Sequence, residues 1–250
     1  MDGAVLTAEP DGPASRRLRL ERVDEIGSTS EALKARAALD AYEEVALLAR
    51  RQTAGHGRLG RTWRSVEGNL HLSALLRPRT LRWPGHWSIL SAVALADAVR
   101  PYVRDPLRLR LKWPNDLMLD DGKLAGILLE AGIADPPWLV IGFGVNLAGA
   151  PLDLGRPTSC LADAGPAPAP EQFAVRLLDF LQRWRERYGR EGFAPVQAAW
   201  LAIAHAPGDL VAAGAGRQCV QGAFRGLAPD GALLLDGPDG VVVVTAGEVE

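Results

Sequence analysis

The sequence predicts an α+β protein in two parts, with helices and strands intermixed to about residue 205 and a small all-β cap beyond it. Three observations carry that reading. Apolar stretches with helical spacing alternate with short strand-like runs through the first four-fifths of the chain. After Ala206 the texture changes to brief apolar runs separated by Gly, Pro and Asp turns, the cadence of a small β-barrel. At 250 residues and 48% hydrophobic, the chain has enough apolar material for a core without staples.

Taken in order, residues 1–20 read as a polar, Pro/Gly-containing tail. Thr29 to Leu39 reads as a helix capped by Ser28 or Thr29, with Glu31 in its acidic first turn. Val45 to Ala49 is a short apolar strand leading into a loop rich in Gly and Arg. Asn69 to Leu76 is a second strand. His86 to Val103 has helical character with a dense apolar face. Leu107 to Leu111 alternates leucine with arginine, as a half-buried strand does. Leu117 to Leu119, the turn Asp120-Asp121-Gly122 and Lys123 to Glu130 read as a hairpin. Trp138 to Leu147 is an almost continuous apolar strand, central in a sheet. A surface loop at Ala162 to Pro170 precedes an amphipathic helix from Glu171 to Tyr188 and a shorter one around Phe193 to Leu201. Four runs follow: Asp209 to Ala213, Gln218 to Arg225, Gly231 to Leu235 and Val241 to Thr245.

Composition excludes several classes. Charged residues make up 23% of the chain, and with its apolar content this is not a disordered protein. The two cysteines, Cys160 and Cys219, cannot supply a disulfide scaffold or a four-thiolate zinc site. A net charge of −2 speaks against a general nucleic-acid binder. The start of the chain lacks a secretory pattern, and no apolar run approaches membrane-spanning length. A cytoplasmic protein is the expectation. Only Lys34, Lys112 and Lys123 are lysine among the 28 basic residues. Two of these three fall in the segments richest in chemistry.

Four segments stand out. Gly55-His56-Gly57-Arg58-Leu59-Gly60-Arg61, with Trp63 and Arg64 behind it, combines backbone freedom with forked cations suited to carboxylate or phosphate. It matches neither the dinucleotide fingerprint nor the P-loop, and a solvated basic turn has the same composition. Lys112-Trp113-Pro114-Asn115-Asp116 offers a cation for phosphate and an acid for metal or orientation; it equally describes a strand end with an ordinary ion pair. In Lys123-Leu124-Ala125-Gly126-Ile127-Leu128 a charged head opens an apolar strand that Gly126 leaves accessible to a flat ligand, although Lys123 would also serve as an edge charge. In Gly142-Phe143-Gly144-Val145-Asn146 alternating glycines leave room for a ligand, and Asn146 suits either a ligand or a structural bond. The four histidines show no metal-ligand spacing, and Cys160 has no histidine pattern to make it a nucleophile.

Together these segments resemble the biotin protein ligases, whose glycine-arginine loop, KWPND segment, KLAGIL strand and G-x-G-x-N strand match at residues 55–63, 112–116, 123–128 and 142–146. Ser28-Thr29-Ser30 and Thr158-Ser159 resemble two further family segments. The resemblance implies a mixed sheet flanked by helices, like that of class II aminoacyl-tRNA synthetases, over residues 21–205. It also implies an SH3-like barrel over 206–250. It implies that MgATP and biotin give biotinyl-5′-adenylate, which then acylates one lysine of a biotin carboxyl carrier domain, with Mg²⁺ bound mainly through ATP phosphates and no tightly held prosthetic group.

In that picture Ser28, Thr29, Ser30, Gln52, Gly55, His56, Gly57, Arg58, Lys123, Gly126, Leu128 and Gly144 surround biotin. Arg58, Arg61, Trp63, Asn115, Lys123 and Asn146 hold the nucleotide. Arg58, Arg61, Lys112, Asp116 and Lys123 act in catalysis. His56 stands where the family loop usually has arginine, and Ser30 where it usually has asparagine. No nucleic-acid or membrane partner is implied, since the chain has only about 25 residues ahead of the catalytic segment, and a homodimer stays open. The competing readings are a lipoate ligase or octanoyltransferase of the same fold and a non-catalytic biotin sensor.

Overall fold

The computed structural model describes residues 18–39, 43–133, 135–151, 155–214, 219–245 and 247–249. Most of the tail expected over residues 1–20 and the first residue of the run expected from Gln218 lie outside these.

The chain opens with β1 (Arg19–Ile26), α1 (Thr29–Leu39) and β2 (Val45–Gln52), followed by β3 (Leu70–Leu76) and α2 (Pro84–Val99). Next come β4 (Leu109–Lys112), β5 (Asp116–Leu119), β6 (Gly122–Gly132) and β7 (Trp138–Val145). Two helices, α3 (Pro170–Glu191) and α4 (Ala194–Leu201), lead to β8 (Leu210–Gly214), β9 (Val220–Leu227), β10 (Leu233–Gly237), β11 (Gly240–Val244) and β12 (Glu248–Val249).

The first seven strands form one sheet in the order β1-β2-β3-β7-β6-β5-β4. β1 runs parallel to β2 and the other neighbours are antiparallel, so the sheet is mixed. Its two faces do different work, because successive side chains point to opposite sides of a strand. Leu70, Leu72, Ala74 and Leu76 of β3, with Leu139, Ile141, Phe143 and Val145 of β7, join α2 and α3 in the larger core. Leu75 and Val140 face the other way, packing with Val45, Leu47 and Leu33 of α1 in a smaller core. α2 is buried almost all round because α3 and α4 cover the side turned away from the sheet.

β1 lies where the sequence reading has no element. Its charged residues hide the pattern, and they are matched by Arg36–Glu21 and Arg50–Asp24 pairs at the sheet edge. The strand expected over Leu107–Leu111 begins at Leu109 instead. Pro106–Arg108 forms a 3₁₀ turn in which the Asp105 carboxylate accepts from the Leu107 N–H at 3.0 Å, leaving Leu107 exposed. The helix expected to reach Val103 ends at Val99, with a 3₁₀ turn over Arg100–Tyr102, since Pro101 has no N–H to continue the ladder.

The last five strands form an antiparallel sheet in the order β11-β10-β9-β8-β12. The closed barrel expected there is corrected: β11 and β12 are opposite edges, and among the described residues no ladder joins them. Closure needs that ladder, and β12 offers only two residues to make it. The core nevertheless runs on without a break, as Phe224 of β9 meets Trp200 of α4 at 6.3 Å between ring centroids.

Candidate active site

The face of the sheet that carries the smaller core is only half covered by α1. Its remainder is an open cleft of about 60 Å³, roofed by the loop after β2. That loop is a tight excursion. Thr53 and Ala54 donate to the carbonyls of Ile26 and Gly27 at 2.9 and 2.8 Å, Trp63 N–H returns to Gly55 at 2.9 Å, and Gly57 N–H reaches Arg61 at 2.7 Å. Its tip, Arg58–Gly60, turns through the left-handed region at Leu59 (φ 56°) and Gly60 (φ 71°). Leucine is uncommon in that conformation, and Leu59 is 77% exposed.

The cleft floor is glycine. Gly126 and Gly144 sit opposite one another across the β6–β7 ladder, and Gly142 pairs with Leu128. The indole of Trp63 lies against this floor: a Cβ on Gly144 would stand 2.4 Å from two of its ring carbons, and one on Gly126 would stand 2.9 Å from Lys123 Nζ. The Trp63 Nε1–H is buried and has no partner among the described residues.

One end of the cleft is polar and uncharged. Gln52 Oε1 accepts from Thr29 N–H at 2.7 Å and from Thr29 Oγ1 at 3.0 Å. The backbone donor fixes which end of the amide is oxygen, so the Thr29 hydroxyl proton is committed to it. Ser73 Oγ, 2.7 Å from Thr29 Oγ1, must therefore donate to Thr29, and Ser30 Oγ, 3.0 Å from Ser73, must donate to Ser73. The chain runs in one direction, Ser30 to Ser73 to Thr29 to Gln52. It leaves Ser30 oxygen lone pairs as acceptors and the Gln52 amide nitrogen as a donor, a complementary pair for a ligand that bears both a carbonyl and an N–H.

The other end is cationic. Arg58, Arg61, Lys123 and Arg156 line it, while no Asp or Glu appears among the described lining residues. Arg58 Nη1 donates to Gly247 O, just ahead of β12, at 2.9 Å and to Asn115 Oδ1 at 3.4 Å. Asn115 is itself held by its Nδ2 on Ile127 O at 2.6 Å. Lys123 Nζ is 2.5 Å from Asp116 Oδ1, and both side chains are largely shielded from solvent.

Of the residues singled out in the sequence, Ser28, Thr29, Ser30, Gln52, His56, Gly57, Arg58, Arg61, Trp63, Asn115, Lys123, Gly126, Leu128 and Gly144 converge on this cleft. Four do not line it. Gly55 braces the loop, a Cβ there meeting Trp63 O at 2.9 Å and Gln52 Nε2 at 3.0 Å. Asp116 reaches the cleft only through Lys123. Lys112 lies across the β4–β5 ladder from Asp116. Asn146 is buried, its Nδ2 donating to Ser159 O at 3.1 Å and Lys123 O at 3.3 Å while its Oδ1 accepts from Asn69. It holds the strand end rather than facing the cleft.

The sequence reading missed Ser73 and Arg156. Ser73 sits in a run of apolar strand residues, where one hydroxyl raises no pattern, and Arg156 lies outside every motif. His56 Nε2 is 3.3 Å from Glu31, and Glu31 and Glu130 both bond Lys34 at 2.7 Å. These acids and the imidazole come together as a metal cluster would, but the ammonium of Lys34 already bonds both carboxylates. Cys160 is buried outside the cleft, and burial pushes its thiol pKa up, away from nucleophilic character. Among the described residues no helix is long and apolar enough to cross a membrane.

The chain is similar to known proteins over most of its length. Residues 24–146 match the biotin/lipoate A/B protein ligase family, and residues 211–250 match the biotin protein ligase C-terminal domain. The chain is 40% identical over 240 residues to a biotin–[acetyl-CoA-carboxylase] ligase of Paracoccus denitrificans, covering 92% of this chain and 98% of that one. It is 36% identical over 261 residues to the enzyme of the same description from Mycobacterium tuberculosis, covering 100% of this chain and 95% of the other. A solved biotin protein ligase from Aquifex aeolicus in complex with biotin and ATP superposes with a TM-score of 0.80 at 26% identity, over 93% of this chain and 97% of that one.

Proposed function

The chain belongs to the biotin protein ligase family, and from that premise we propose that it activates biotin with ATP and passes the biotinyl group to a lysine of a biotin carboxyl carrier domain. The observation that carries the reading is the polarity of the cleft: an uncharged, directional hydroxyl–amide chain at one end and a cluster of cations without a lining acid at the other. A ureido ring carries both N–H and C=O, and suits the first end. Its carboxylate tail and a triphosphate suit the second.

The chemistry follows from charge. Carboxylate and α-phosphate are both anionic, so bringing oxygen to phosphorus requires cations that lower their repulsion. Lys123 and Arg61 would do this, with Arg58 drawn over the phosphoryl region by the loop. The Trp63 ring would close the nucleotide side and its Nε1–H would find an acceptor there. Exclusion of water matters because a mixed anhydride hydrolyses, and the loop is the part of the site that can cover it. Asp116, bonded to Lys123, would hold that ammonium in line during adenylation. In the second step Asp116 and Lys112 would orient the acceptor amine. Mg²⁺ would arrive on the ATP phosphates, a role the donor set fits because no carboxylate lines the cleft among the described residues.

The mixed sheet supports the synthetase-like reading of the catalytic part. The change of texture near residue 206 supports treating the C-terminal sheet as a separate module, with Gly247 bringing its edge to Arg58. The test is intact mass of a purified carrier domain incubated with the protein, MgATP and biotin, with lipoate and octanoate in parallel. One biotinyl addition that requires ATP is expected. Modification by lipoate or octanoate alone would overturn the substrate assignment, and absence of both transfer and biotin-dependent pyrophosphate exchange would overturn the activity.

A further inference from the structure

We propose that Arg156 binds the β- and γ-phosphates of ATP and the pyrophosphate that leaves, making it a substrate-positioning residue for adenylation. The inference rests on the ligase reading above and extends it to a residue outside all four sequence motifs.

Arg156 lines the cleft, and the backbone explains how it gets there. The three residues that follow it are strapped along the start of β6. Lys123 N–H donates to Pro157 O at 3.1 Å, Ser159 N–H donates to Lys123 O at 3.1 Å, and Thr158 pairs with Lys123 in a parallel bridge. Ser159 Oγ donates to Leu119 O at 3.0 Å, and Thr158 Oγ1 to Pro151 O at 2.9 Å. The fit is tight enough that a Cβ on Gly122 would fall 1.9 Å from Ser159 Oγ. The backbone that follows Arg156 is thereby held beside Lys123, which places Arg156 next to the cationic end of the cleft.

Depth distinguishes the cations. The Lys123 side chain is 12% exposed and lies against Gly126 on the floor, where a carboxylate and an α-phosphate would meet. Arg156 is exposed at the mouth. The bond that breaks in adenylation joins the α-phosphorus to the bridging oxygen. That oxygen keeps the electron pair and departs with pyrophosphate, which must travel toward solvent. A forked guanidinium at the mouth suits that trianionic leaving group, and no Asp or Glu lines the cleft among the described residues.

The test uses the full chain with Arg156→Gln and Arg156→Lys. Pyrophosphate binding to the protein alone, by calorimetry, should weaken about tenfold in the glutamine variant and recover in the lysine variant. In pyrophosphate exchange the KM for ATP should rise by a similar factor. The KM for biotin and the rate of transfer from preformed biotinyl-adenylate should stay unchanged. Wild-type affinity of Arg156→Gln for pyrophosphate would overturn the proposal whether or not the protein ligates biotin. A raised KM for the carrier domain with ATP unaffected would overturn it in favour of an acceptor contact. Loss of biotin-dependent exchange in the wild type, with pyrophosphate binding still sensitive to Arg156, would sink the ligase reading and keep the anion site.

Discussion

An alanine at position 144 pushes on one neighbour. Its Cβ would stand 2.4 Å from Cε2 and Cζ2 of Trp63 and 2.9 Å from Cδ2. Carbon–carbon contacts settle at roughly 3.5–4.0 Å, so the indole must retreat by about 1 Å. The loop yields rather than the sheet, because Gly144 is paired on both sides, with His71 and Gly126, while the side chain of Trp63 is only half-buried. Overpacking a fixed core costs about 1–3 kcal/mol, and a neighbour free to move puts this case near 1 kcal/mol. In a chain of this size that lowers the thermal midpoint by about 2–4 °C. Catalysis should suffer far more, since about 1 Å of misplacement costs on the order of 10² in rate. Gly144→Ala should therefore slow biotin-dependent pyrophosphate exchange about a hundredfold in a protein that remains folded. The double-mutant cycle with Trp63→Ala isolates the cause: in that background the glycine substitution should add little. Exchange within about twofold of wild type, or losses that simply multiply, would refute the view that the glycine floor exists to seat Trp63.

Cys160→Ala should retain biotin transfer within about twofold, since its thiol is buried away from the cleft and held in the protonated form; abolished transfer would revive a thioester mechanism. Burial holds the His71 imidazole down at about 4 from 6.5, so the unfolded chain takes up the proton first. The associated stability is complete above pH 6.5 and is lost as pH falls toward 4, by at most about 3 kcal/mol; denaturant midpoints should show a larger acid loss in wild type than in His71→Gln, where His86 and His205, also held down by burial, still contribute. Glu44 binds Arg185 through two bonds of 3.0 and 2.7 Å, and Arg185 is 7% exposed. Glu44→Ala should cost about 3 kcal/mol by urea unfolding, and a change under about 0.5 kcal/mol would show that the pair is replaceable.

Much of the site was legible because it is built from local patterns. The glycine-arginine loop, the lysine heading β6 and the alternating glycines of β7 each declare themselves within a few residues. Ser73 and Arg156 do not. Ser73 matters because β3 lies beside β7 and below α1, and Arg156 because residues 157–159 hydrogen-bond to Lys123; both facts belong to the tertiary fold. Asn146 is the reverse case. The motif left it open between a ligand and a structural bond and the family resemblance placed it by the nucleotide; in the structure its amide bonds Lys123, Ser159 and Asn69, and no sequence pattern separates an asparagine that binds from one that braces. β1 was invisible for an electrostatic reason: its charges, which Arg36 and Arg50 match in the fold, hide the alternation of a strand. The C-terminal strands were legible one by one, whereas closure depends on which edges meet, and local alternation carries no information about that.

The two-faced sheet divides the labour of selection as well as that of folding. On β3 and β7 the residues of the larger core alternate with residues of the opposite face, and among these Ser73, Gly142 and Gly144 shape the cleft. Substitutions at Ser73, Gly142 or Gly144 can therefore alter what is bound while the layer beneath stays intact, giving the scaffold room to diverge in ligand. A single inserted or deleted residue has no such freedom. It would turn both sets over together, sending the leucines into the cleft and the serine and glycines into the core. In these strands the protein can drift by replacement but is frozen in length.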